Sequence, residues 1–117
     1  MITNFDNIIK TAYLAFNDRD INSALLVMHP NVLWSKAWEG GYISGHEEIR
    51  KYWTRQWSEI NPKVYPIGFE LRADNKLEVL VHQIVKDLND VSIFDGNVKH
   101  VYLFENKLIK TMDIELI

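Results

Sequence analysis

Cysteine is absent from this 117-residue chain, which excludes disulfides, thiolate zinc sites and a cysteine nucleophile, and permits a reducing compartment without requiring one. Positive charge is also scarce. The 13 Lys and Arg are outnumbered by 16 Asp and Glu and lie scattered, so the net charge of -3 offers no broad positive field to a phosphate backbone, and nucleic acid is not an expected partner. No run approaches the roughly 18 apolar residues of a membrane span. The start, Met1-Ile2-Thr3-Asn4-Phe5-Asp6, has neither a basic nor an apolar signal region, so the cytoplasm is the default location and no membrane partner is expected. There is no Gly-rich phosphate loop and no His-Glu-x-x-His, and Ser35 and Ser44 have no elbow or base at readable spacing. Phosphate-loop, zincin and serine-nucleophile chemistries therefore lack support, and no cofactor is expected.

What is present suits one water-soluble globular domain over residues 1–117, with 47% hydrophobic and 25% charged residues. Phe5, Ile8, Ile9, Ala12, Tyr13 and Phe16 recur at helical spacing and predict a helix over about 4–16. Asp20 can cap a short second helix carrying Ile21, Ala24, Leu25 and Met28, which His29-Pro30 ends. A strand is expected over about 32–38. Ser44-Gly45-His46-Glu47 reads as a capping box for a third helix with Ile49, Tyr52, Trp53, Gln56, Trp57 and Ile60 on one stripe. After Asn61-Pro62 come four strands, over about 64–73, 77–88, 91–104 and 108–116, with turns at Asp74-Asn75 and Asn89-Asp90 and an irregularity at Asp95-Gly96. Three amphipathic helices ahead of a long antiparallel meander predict a two-layer α+β domain, in which the curved sheet wraps the helices and leaves a cone with a site inside.

The last two strands organise the rest. With Asn106-Lys107 as a two-residue turn, an unbroken hairpin pairs Phe104 with Ile109, Tyr102 with Thr111 and His100 with Asp113. His100 and Asp113 then share a face. An aspartate accepting from one imidazole nitrogen fixes the tautomer and frees the other nitrogen for acid/base work, although such a pair also serves merely to pin strand register. Trp34, Trp38, Trp53 and Trp57 suit either core filling or pocket walls that stack on a flat apolar ligand. The face of His82 depends on a bulge: with one it joins His100 and Asp113 inside, and without it faces out. Those three could form a facial metal triad only if they converge, which no spacing shows, so no metal is expected.

The order helix, short helix, strand, capped helix Ser44-Gly45-His46-Glu47-Glu48-Ile49-Arg50-Lys51-Tyr52-Trp53, then strands ending in Val98-Lys99-His100-Val101-Tyr102 and Lys107-Leu108-Ile109-Lys110-Thr111-Met112-Asp113, resembles the nuclear transport factor 2-like superfamily. Within it, the chain resembles the SnoaL-like polyketide cyclases and ketosteroid isomerase-like proteins. The resemblance implies a cone-shaped, cystatin-like α+β barrel with an apolar pocket, and a homodimer formed through the outer sheet face. It implies acid/base work by Asp113 with His100 as neighbour, on a small apolar substrate undergoing isomerisation, cyclisation or dehydration, or else ligand binding or protein interaction without turnover. Tyr13 matches the helix-1 tyrosine of the isomerases, and Tyr102, His82 and the four indoles fall among the expected ligand contacts. The match is incomplete. Residues 32–38 contain no carboxylate, and His82 stands where the isomerases carry an acid, departures that argue against steroid-type isomerisation. Arg72, the only arginine in the strand half, lacks the paired aspartates of the limonene-epoxide hydrolases.

Overall fold

Three short amphipathic helices cover one face of a six-stranded mixed sheet in the computed structural model, which describes residues 5–36 and 39–117. Helix α1 (Phe5–Asn17) buries Ile9, Ala12 and Tyr13 of the stripe its spacing predicts, together with Ala15. Its last residue fastens it to the sheet: the Asn17 side-chain amide donates to Val64 O at 2.7 Å and accepts from Val64 N at 2.9 Å. Helix α2 (Ile21–Leu25) is capped by Asp20, which accepts from Ser23 N. Helix α3 (His46–Glu59) buries Ile49, Tyr52 and Trp53.

Strand β1 (Met28–Ser35) begins before Pro30 rather than after it, and the short β2 (Tyr42–Ser44) pairs antiparallel with it. That pairing displaces the expected capping box. Ser44 is held in β2 opposite Leu33, so α3 takes Gly45 as its N-cap, at φ 87 and without a side-chain cap bond. A positive φ of this size favours glycine.

The meander follows as β3 (Ile60–Leu71), β4 (Leu77–Asp87), β5 (Ser92–Glu105) and β6 (Leu108–Leu116). Asn75 and Asp90 take positive φ in its turns, and Asn106 and Lys107 both do so in the closing hairpin, the geometry of a two-residue primed turn. The sheet order is β2-β1-β6-β5-β4-β3, with β1 parallel to β6 and the other pairs antiparallel. The sheet does not close. Register shifts near Ile67, Ile93 and Lys110 bend it into an open cone. The β4–β5 irregularity falls at Ile93 and not at Asp95-Gly96, where the pairing of Gln83 with Gly96 is regular. Gly96 has a different task. A Cβ there would meet the Phe94 ring at 3.1 Å, so the bare backbone makes room for that ring.

Candidate functional site

The bulge at Lys110 decides which side chains meet inside the cone. Phe104 faces Ile109, but Leu103 faces Thr111, so Lys110 is the extra residue and every later position of β6 inverts. His100 therefore faces Ile114, and Asp113 faces Val101. The predicted His100–Asp113 pair does not form. The inversion puts Met112, 2% exposed, in the core and leaves Asp113 on the outer face, where it accepts a hydrogen bond from the Tyr42 hydroxyl. Without the bulge, Asp113 would be buried and Met112 turned to solvent, a costly exchange.

His82 also lies outside. It pairs with Asn97, three residues from His100 along β5, and thus sits on the opposite face. There its Nε2 is 2.6 Å from Asp95 Oδ1. Hence His82, His100 and Asp113 do not converge, and among the described residues no group of three or more His, Asp or Glu is placed to hold a metal ion.

Inside the cone the partner of His100 comes from α1. Tyr13 Oη lies 2.6 Å from His100 Nδ1, and the Tyr102 hydroxyl donates to Tyr13 Oη at 2.7 Å. Residues 100 and 102 share a face because side chains alternate along a strand, and Tyr13 reaches them from the buried stripe of α1. All three side chains are buried. Burial lowers the His100 pKa to about 4, because an imidazolium cannot be solvated there. The same desolvation raises Tyr102 and, with the adjacent Tyr102 hydroxyl, raises Tyr13 well above the usual phenol range. All three groups are therefore uncharged at neutral pH.

These residues line a cavity of about 60 Å³. Trp34 and Trp53 form part of its wall, edge-on to each other at 5.6 Å. Trp57 packs behind that wall against Phe16 and Trp53, beneath the Arg19 guanidinium at 5.0 Å. Its Nε1 is buried without a hydrogen-bond partner. Trp38 lies outside the described residues. The remaining polar lining comes from Ser35, Tyr52, Gln56 and Gln83, which the sequence reading did not assign to the site. Gln56 stood on the predicted α3 stripe, and Gln83 alternates with Val81 and Val85, so both signals were present in the periodicity. Among the described residues, no Asp, Glu, Lys or Arg lines the cavity.

The bent, open sheet with helices across its concave face is a fold that this chain shares with solved structures described as NTF2-like and ketosteroid isomerase-like. An NTF2-like protein of unknown function from Burkholderia pseudomallei K96243 is 24% identical, with 99% of this chain and 92% of that one covered at a TM-score of 0.85. TerC, co-crystallised with polyporic acid, is 23% identical over 95% of this chain and 89% of that one, at 0.81. A protein of ketosteroid isomerase-like fold from Catenulispora acidiphila, in complex with trimethylamine, is 14% identical over 92% and 82%, at 0.79. At these identities the likeness is one of fold. No protein-family model matches the chain, and no curated protein matches it.

Proposed function

We propose that the protein holds a small, flat, largely apolar molecule in the cone, with His100 as its polar anchor. The observation that carries this reading is a cavity without a charged lining residue, walled by Trp34 and Trp53 and ending in the buried Tyr102–Tyr13–His100 chain. Aromatic walls favour ring systems, and one or a few polar groups set orientation in sites of this kind. Structures with this fold hold small molecules, polyporic acid with TerC and trimethylamine with the Catenulispora protein. Cofactor-independent turnover by isomerisation, cyclisation or dehydration is the second reading. It is favoured by the hydroxyl chain, which holds the His100 imidazole as a fixed donor able to stabilise negative charge developing on a ligand oxygen, and it assigns the chemistry to Tyr13 and His100 without Asp113. We also propose a homodimer through the outer sheet face, where no helix packs.

A thermal-shift screen of small ring compounds tests the site. Compounds that stabilise the wild type are expected to lose most of that effect with His100→Leu and to keep it with Asp113→Asn. The opposite pattern would return the site to the outer face and overturn the assignment.

A further inference from the structure

We infer that the pocket selects an uncharged ring compound bearing a hydrogen-bond acceptor, a carbonyl, ether or ring nitrogen, and presents to it a single fixed donor, His100 Nε2–H. This rests on the pocket reading above and narrows it to a ligand class. Proton counting sets the direction of the chain. Each phenol owns one proton. The Tyr102 hydroxyl gives its own to Tyr13 Oη, and Tyr13 has His100 Nδ1 as its second neighbour, at 2.6 Å. Were Nδ1 protonated, either Tyr13 Oη would accept twice and strand its own proton, or the chain would reverse and strand the proton of Tyr102, which is 0% exposed and has Tyr13 as its hydrogen-bond partner, a costly arrangement in both cases. Tyr13 therefore donates to Nδ1, and the proton of the neutral ring sits on Nε2. Tyr102 is thus a positioning residue, acting on the imidazole through Tyr13.

Nε2 faces the ligand space. No hydrogen bond from the described residues engages it, and the sealed, unpartnered side-chain atom among them is Trp57 Nε1 instead. Since His100 lines the cavity, its free N–H opens onto it. The tautomer also removes a base: the one lone pair of the imidazole is occupied by Tyr13, so the ring polarises an acceptor and takes no proton from the ligand. Charge is excluded from both sides. A cation or anion would shed its hydration among lining residues that offer no counter-charge. The cavity volume of about 60 Å³ is roughly four to six times what one water needs on the same measure, which limits the ligand to one small ring.

Two measurements decide the matter. Long-range proton–nitrogen NMR on the unliganded wild type is expected to show His100 protonated at Nε2 and bare at Nδ1, with the two tautomers mixing in Tyr13→Phe; a protonated Nδ1 in the wild type overturns the inference without any ligand. Three probes of similar shape, acetophenone, ethylbenzene and benzylamine, are then titrated near pH 7. Acetophenone is expected to bind about 2- to 10-fold more tightly than ethylbenzene, the range of one net hydrogen bond, and the benzylammonium ion not detectably. His100→Leu should erase the acetophenone advantage and spare ethylbenzene, while His100→Gln, whose amide still donates, should keep part of it. Equal binding of acetophenone and ethylbenzene, or preference for benzylamine, overturns the acceptor class and leaves the pocket reading standing. Silence from all three probes removes the pocket reading and the inference with it.

Discussion

An imidazole buried without a carboxylate beside it makes the folded state sensitive to acid. In the unfolded chain His100 titrates near the ordinary imidazole value of about 6.5, and in the fold burial lowers it to about 4. Between those values the unfolded chain binds a proton that the native state refuses, so stability rises with pH across the window. The contribution is complete above about pH 6.5 and is lost as pH falls through about 4, amounting to roughly 3 kcal/mol. Urea unfolding at pH 7, 5.5 and 4.5 is expected to show a steeper loss for the wild type than for His100→Gln. Since the carboxylates titrate alike in both proteins, the difference isolates His100. Parallel curves would mean that the imidazole is hydrated or paired in the fold. The tyrosines play no part in this window, because burial raises both and keeps their hydroxyl protons in place.

At the scale of elements, the closing hairpin shows how one residue sets the chemistry of a site. Deleting Lys110 leaves Leu103 opposite Thr111 and Met112 opposite Tyr102 without a bulge, so the inward set is unchanged. The variant is expected to keep its fold and to lose about 1 kcal/mol, typical of a single substitution, read by urea unfolding and by an unchanged amide spectrum around Tyr102. Adding a residue after Lys110 should instead carry Met112 outward and Asp113 inward and abolish folding. The sequence held a clue to this bulge. Ile109, Met112 and Ile114 are apolar at offsets 0, 3 and 5, a change of parity that an unbroken strand cannot serve from one face. The two-residue turn at Asn106-Lys107 was legible in its residue types, and the unbroken register assumed beyond it placed Asp113 on the wrong side. The helices were legible because 3.6-residue stripes survive small errors at their ends. The cap of α3 was not, since Ser44 is a fair N-cap by type and only its pairing with β1 shows that it is spent in a strand. For His82 the turn and the Ile93 bulge compensate, leaving the unshifted pairing with Asn97 and the outward face.

At the scale of the molecule, the three helices and the sheet divide the surface unequally. The concave face is covered, while the convex face has no helix packed on it, and there Leu80, Ile84 and Leu103 alternate with charged residues along β4 and β5. Tyr65 adds an exposed ring, 43% accessible, at the β3 side. The charges on this face are largely spent on one another. Arg72 holds Glu78 and Glu115, both at 2.7 Å, and depresses both carboxyls, so the strip between them presents more apolar surface than its composition suggests. A second copy is the occupant best matched to such a self-neutralised face, because a two-fold contact sets the same mixed surface against itself. Light scattering behind size exclusion at tens of micromolar should therefore give about twice the 13.8 kDa chain mass. Ile84→Lys, which adds a charge to the apolar strip of this face beside Lys63, should shift the protein to monomer and leave ligand binding in the cone within about 2-fold, since Ile84 points away from the cavity. A wild-type monomer at those concentrations would reject the interface. A monomeric Ile84→Lys that also lost its ligand would show that pairing of the outer faces holds the cone in shape, making assembly a condition of the site.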